Sequence, residues 1–176
     1  MSLHRRQFLI TGLSLTASLA FAARSACASQ ERVLSFENLH TGEKLRTAYW
    51  TNGAHVADAS RAIDRVLRDH RTGDVAAISP RLLDVLYLLR TSMRTDAPFE
   101  VISGYRSPHT NAVLARASGG VAPNSLHTRG MAIDIRLPGC SLADLREKAM
   151  ALKAGGVGYY AKSGFVHVDV GRVRYW

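Results

Sequence analysis

Apolar and polar residues alternate from residue 31 to residue 50, the period-two pattern of a half-buried strand. Val33, Ser35 and Glu37 interleave with Leu34, Phe36 and Asn38; Thr41-Gly42-Glu43 marks a turn, and residues 45–50 run back, which predicts a β-hairpin. Asn52-Gly53 punctuates its end. The period then lengthens. Ile63, Val66 and Leu67 are spaced as on a helix. Ser79 as N-cap and Pro80 at the first helical position open a second helix. Leu82, Leu83, Val85, Leu86, Leu88 and Leu89 make that helix apolar over a wide arc, so it is expected to be the central buried one, with Pro98 beyond its end.

The second half changes texture. Residues 99–103 read as a short strand, 104–108 as a turn, 110–117 as a short helix and 118–124 as a Gly-rich loop. A strand over 131–135 precedes a helix over 141–154, capped by Ser141 and stopped near Gly155-Gly156. Three short strands follow, around 157–160, 165–170 and 172–176. There is no internal repeat and no βαβ rhythm. The expected fold is therefore α+β, a small antiparallel β-sheet flanked by helices in a single domain.

Polar residues inside apolar strands carry the chemical signal. Met131, Ile133 and Ile135 fall on one face of their strand, and Ala132, Asp134 and Arg136 on the other. Val166, Val168 and Val170 share a face, opposite Phe165, His167 and Asp169. If the two strands pair, Asp134, His167 and Asp169 line one surface, and the turn Thr128-Arg129-Gly130 can bring His127 to the same place. Two imidazoles and a carboxylate suit zinc, which such donors bind at about 2.0–2.2 Å, with a fourth position left for water in catalytic sites. The spacing alone favours a His–Asp hydrogen bond or an ion pair on a solvated sheet face over a metal, since paired His and Asp are common and no HExxH motif is present.

Three motifs add to that reading: Ser103-Gly104-Tyr105-Arg106-Ser107-Pro108, then Ser125-Leu126-His127-Thr128-Arg129-Gly130-Met131-Ala132-Ile133-Asp134, then Phe165-Val166-His167-Val168-Asp169. In succession they resemble the LAS-type zinc peptidases, a group that takes in murein D-alanyl-D-alanine carboxypeptidases and the metal-binding domain of hedgehog proteins. The run 155–160 and the ending 171–176 are similar to the murein endopeptidase K branch. The resemblance covers nearly the whole mature chain and is strongest from Phe99 onward. It implies an open Zn2+ site with His127, Asp134 and His167 as ligands, and Arg106 binding a substrate carboxylate or the oxyanion. Ser125 and Arg129 flank His127 and are expected in the substrate cleft.

The general base departs from the family pattern. Many members place a Glu, Asp or His a few residues before the last zinc histidine, where this chain has Ala161, Lys162, Ser163, Gly164, Phe165 and Val166. Asp169 is the substitute candidate, as the base or as a carboxylate that orients His167. His109 is expected at an exposed helix start. His40, His55 and His70 have no metal-like partner in sequence, and Tyr159 and Tyr160 read as sheet packing, with one able to donate a hydrogen bond into the cleft.

The first 28 residues read as a targeting segment. Arg5-Arg6-Gln7-Phe8-Leu9 resembles a twin-arginine signal, an uncharged small-residue stretch runs over 10–23, and Ala26-Cys27-Ala28 suits a signal peptidase. The stretch is shorter than the roughly 20 apolar residues of a membrane span. Residues 29–176 are then the zinc peptidase domain, delivered to the periplasm. Cleavage after Ala28 removes Cys27 and leaves Cys140 as a lone thiol, so no internal disulfide forms. Lipidation of Cys27 is the alternative, with Arg24 standing where an apolar residue is expected. The chain carries a formal charge of +9, and the leader takes three of its 23 basic residues and none of its 14 acidic ones. For an exported chain the basic balance suits anionic wall polymer or a membrane surface rather than nucleic acid, though no dense Lys/Arg run points to either, and net charge alone fits simple solubility as well.

These features together lead to a zinc-dependent murein endopeptidase acting on peptidoglycan stem peptides, at cross-links between diaminopimelate residues, as a monomer with no transmembrane span in the mature chain. The rivals are a zinc-binding, non-catalytic wall- or protein-binding module and a murein carboxypeptidase.

Overall fold

The computed structural model describes residues 31–117 and 121–176; the expected leader over 1–28, with Cys27, and the start of the Gly-rich loop at 118–120 lie outside them. In chain order the elements are β1 (Glu31–Asn38), β2 (Lys44–Thr51), β3 (Ala54–His55), α1 (Ala57–Val66), α2 (Pro80–Met93), β4 (Phe99–Ser103) and α3 (Pro108–Ala117). A 3₁₀ turn (Leu126–Arg129), β5 (Ala132–Arg136), α4 (Leu142–Ala151), β6 (Gly156–Tyr160), β7 (Phe165–Asp169) and β8 (Arg174–Tyr175) complete the chain. The fold is the expected α+β arrangement. The eight strands form one sheet in the order β3-β2-β1-β4-β5-β7-β6-β8. It is mostly antiparallel; β1 runs parallel to β4, and β6 parallel to β8.

One face of this sheet is the core. Register places Phe36 beside Phe99, Val101 beside Ile135, Ile133 beside Val168 and Val157 beside Val168, so the apolar parity continues from strand to strand. Helices α1, α2 and α4 pack on the sheet and contribute Ile63, Leu82, Leu83, Leu86, Leu89 and Leu145, all essentially buried. Full burial of side chains of this size contributes about 1.5–3 kcal/mol each. Leu88, expected in the apolar arc, is 51% exposed, because the arc reaches past the sheet-facing side of a 14-residue helix. Ser79 takes the N-cap position, but its side chain makes no capping bond. Its amide instead donates to Gly130 O at 2.9 Å, which ties the start of α2 to the turn before β5.

The segment after α1 fixes the 103–108 motif. Tyr105 N donates to Leu67 O at 2.7 Å, and a Cβ on Gly104 would sit 2.4 Å from that same oxygen, so only glycine fits. Buried Asp69 accepts from Ser107 N and Arg71 N, each at 2.9 Å. Burial works to raise its pKa. Hydrogen bonds from Thr110, from the two amides and from the Ser107 hydroxyl outweigh burial and hold the carboxyl well below its ordinary value.

A depressed carboxylate stabilises the fold above its unfolded pKa of about 3.9, and that contribution is lost as pH falls toward the folded value. Asp69→Asn is therefore expected to lower stability by about 1.5–3 kcal/mol at neutral pH. The difference from the native chain should shrink below about pH 4. Thermal melts of both proteins from pH 7 down to 3 check this.

Candidate metal centre

The sheet face opposite the core carries the polar residues. Antiparallel pairing sets Asp134 on β5 directly across from His167 on β7, and Gly158 on β6 across from His167. His127 reaches the same point from the 3₁₀ turn. Ser125 caps that turn by accepting from His127 N, and Gly130 closes it at φ 62°, the left-handed region that glycine adopts without strain. His127, Asp134 and His167 are all buried, and each offers a donor atom within 4.8 Å of the others.

Each ring has one nitrogen committed elsewhere. His127 Nδ1 donates to Gly104 O at 2.7 Å, which turns Nε2 toward the cluster. His167 Nε2 faces Asp169 Oδ2 at 3.1 Å, which turns Nδ1 the same way. The three free donors then stand close together: His127 Nε2 to His167 Nδ1 at 3.2 Å, His127 Nε2 to Asp134 Oδ1 at 3.3 Å, and His167 Nδ1 to Asp134 Oδ1 at 2.8 Å. Ligand atoms about 2.0–2.1 Å from an ion in tetrahedral geometry are about 3.3 Å apart. The donor set therefore fits one ion of zinc's size. Burial works against charge on both Asp134 and His167. For Asp134, the charge and hydrogen bonds of His127 and His167 prevail and hold the carboxyl well below its usual range. For His167, hydrogen bonds to Asp134 and Asp169 prevail and raise its pKa.

Asp169 is fully buried, and both its oxygens are engaged. Oδ1 accepts from Gly156 N at 2.9 Å, Gly171 N at 2.8 Å and an Arg174 nitrogen at 3.2 Å. Oδ2 accepts from the other Arg174 nitrogen at 2.7 Å and faces His167. Burial again opposes the charge, but these donors hold the carboxyl well below its ordinary value.

A cleft of about 460 Å³ opens on the cluster. Arg106 borders it, 3.7 Å from Asp134 Oδ2, with long hydrogen bonds to Ser103 Oγ (3.2 Å) and Asn111 Oδ1 (3.4 Å) and with Nε unpaired. Burial lowers its pKa, against the pull of Asp134. Ser125 lines the cleft as expected. Arg129 does not. It is exposed and borders a neighbouring groove with Pro108, Asn111 and Thr128, which meets the cleft at Asn124 and Ser125. His109 is exposed as expected, and Tyr159 points away from the cleft beneath Arg146.

Sequence reasoning missed Arg174 and Trp176 as residues of the cleft. A signal was present: alternate glycines, Gly156 and Gly158, lie on the cleft face of β6. A Cβ on Gly156 would meet the Arg174 guanidinium at 2.5 Å, and one on Gly158 would meet the Trp176 indole at 2.6 Å. The two glycines are slots that admit the chain's last residues, held by the parallel pairing of β8 with β6. The expectation that Tyr159 and Tyr160 serve sheet packing holds for Tyr160 in its stacking on Phe165, with ring centroids 4.6 Å apart, yet Tyr160 lines the cleft as well.

The profile of a family described as peptidoglycan L,D-endopeptidase MepK matches residues 26–176. The peptidoglycan L,D-endopeptidase MepK of Escherichia coli K12 is 38% identical over 178 residues, spanning 98% of this chain and 97% of its own length. The protein of that name from Shigella flexneri matches to the same extent. A Haemophilus influenzae protein, named with the qualifier "probable", is 42% identical over 146 residues, or 82% of this chain and 78% of its own.

Gly158→Ala is expected to push the Trp176 indole out of its slot, at a cost of about 1–3 kcal/mol for overpacking. A changed Trp176 emission in a Trp50→Phe background, together with a lowered melting temperature, checks this.

Proposed function

The chain belongs to the peptidoglycan L,D-endopeptidase MepK family of peptidases, and on that premise we propose that it is a zinc-dependent endopeptidase that hydrolyses stem-peptide cross-links of peptidoglycan, between diaminopimelate residues. The observation that carries this reading is the convergence of His127 Nε2, Asp134 Oδ1 and His167 Nδ1 at the floor of an open cleft. Those three residues would hold the zinc ion. When bound, it polarises the scissile carbonyl and lowers the pKa of a water to about 7.

The remaining roles belong to the chain's own side chains. Arg106 presents a buried guanidinium with an unpaired Nε and two long, weak hydrogen bonds, so its donors are available to a substrate carboxylate or to the developing oxyanion. Ser125 lines the same cleft, and Arg129 supplies a cation to the peptide where the neighbouring groove continues it. Of the two roles open to Asp169, its contacts favour orienting His167. A carboxylate held by Gly156, Gly171, Arg174 and His167 has no oxygen left to accept a proton from water. Asp134 is then the one carboxylate lining the cleft among the described residues.

Peptidoglycan lies outside the inner membrane, so the reading includes export. Residues 1–28 serve as a twin-arginine signal peptide, and the mature chain acts in the periplasm as a monomer. No helix among the described residues is long and apolar enough to cross a membrane.

Incubation of the mature chain with defined cross-linked muropeptides, followed by product masses, tests the assignment. Cleavage within the cross-link is expected, abolished by chelator and restored by zinc. His127→Ala and His167→Ala should each lose both zinc and turnover, because two protein ligands remain. Full zinc occupancy in both variants, by elemental analysis, rejects the ligand set. Asp169→Asn should weaken zinc binding by roughly 10–100-fold, with turnover recovered at high zinc. A loss of turnover at full zinc occupancy would instead restore Asp169 as the base.

A further inference from the structure

Next to the cluster, the cleft wall is built from the two ends of a short aromatic chain. The Trp176 ring stands 5.3 Å from the His167 ring, and its Nε1 donates to the Tyr160 hydroxyl at 2.9 Å. Tyr160 is fixed on its other side by stacking on Phe165. The slot over Gly158 lets the indole pack directly against the β6 backbone, so the bridge from His167 to Tyr160 rests on the sheet. Backbone bonds of 2.9 Å from Tyr159 N to Trp176 O and 3.2 Å from Trp176 N to Val157 O hold the residue in that slot.

The consequence lies in the direction of the phenol. A tyrosine hydroxyl has one proton to give and lone pairs to receive with. Here the indole N–H occupies the receiving side, and no hydrogen bond donated by the Tyr160 hydroxyl occurs among the described residues. Its proton is therefore free in a cleft that Arg106, His127, Asp134 and His167 also line. Arg106 lines the same cleft, so two hydrogen-bond donors of different kind open into it.

We propose that Tyr160 is a catalytic residue of the peptidase reaction, whose hydroxyl, aimed by Trp176, donates a hydrogen bond to the oxyanion that forms at the scissile carbonyl. The inference rests on the endopeptidase reading above. A preorganised neutral donor fits a cleft already rich in charge. It stabilises the transition state without moving a proton, and the Trp176 contact pre-sets its orientation before substrate arrives. Trp176 is then a positioning residue that acts through Tyr160.

The test compares Tyr160→Phe and Trp176→Phe with the native chain. Tyr160→Phe keeps the stacked ring and should keep the melting temperature and zinc content, while kcat falls by about 10²–10³-fold and KM changes little, the pattern of a lost oxyanion donor. Affinity for a phosphinate analogue of the tetrahedral state should fall in parallel, and affinity for the cleaved product should stay. Trp176→Phe should lower kcat by about tenfold, the worth of one orienting hydrogen bond. In metal-free protein carrying Trp50→Phe, adding Tyr160→Phe should shift Trp176 emission, because the indole loses its acceptor. Native turnover in Tyr160→Phe at full zinc occupancy overturns the proposal and leaves the peptidase reading intact. Absence of turnover in the native chain overturns the peptidase reading itself.

Discussion

The pairing register of β7 on β5 is the constraint from which the site follows. With Asp134 opposite His167, the same two strands turn Ile133, Ile135, Val166 and Val168 into the core. A slip of one residue would exchange the faces, sending a carboxylate and an imidazole into the hydrocarbon layer and valines into the cleft. The apolar face thus enforces the position of the polar one. The driving force that buries the core also holds the donor atoms about 3 Å apart.

That placement carries a cost that the surroundings offset. Buried ions lose several kcal/mol of solvation each unless they are paired and hydrogen-bonded. Asp134 is set against two imidazoles and Arg106, and Asp169 against His167, Arg174 and two backbone amides. The chain of contacts from Arg174 through Asp169 to His167 fixes which ring nitrogen faces the cleft. The 103–108 motif does the same for His127 through the Gly104 carbonyl, and Asp69 holds that motif from beneath.

Much of this was legible in the sequence because strand periodicity is strict. Alternation alone put Asp134, His167 and Asp169 on one surface, and the motifs supplied His127 and Arg106. Periodicity could not say where the third dimension closes. Arg129 is adjacent to the His127 turn in sequence, yet the 3₁₀ geometry swings it to the neighbouring groove. Arg174 and Trp176 follow the third motif closely in the chain, but they reach the cleft only because β8 lies parallel to β6. Asp169 was open to two roles, because sequence shows a carboxylate two residues from a histidine and does not show the four partner residues that surround it. The alternating glycines, Gly156 and Gly158, were the overlooked clue, since a strand that gives up two side chains on one face leaves room there for others.

The docking of Arg174 and Trp176 into those slots also makes one short edge segment answerable for two parts of the site. Arg174 grips the carboxylate that orients His167, and Trp176 holds the Tyr160 hydroxyl. Any displacement of β8 from β6 would therefore loosen the His167 ring and a wall of the cleft together, a single point of failure at the rim of the sheet.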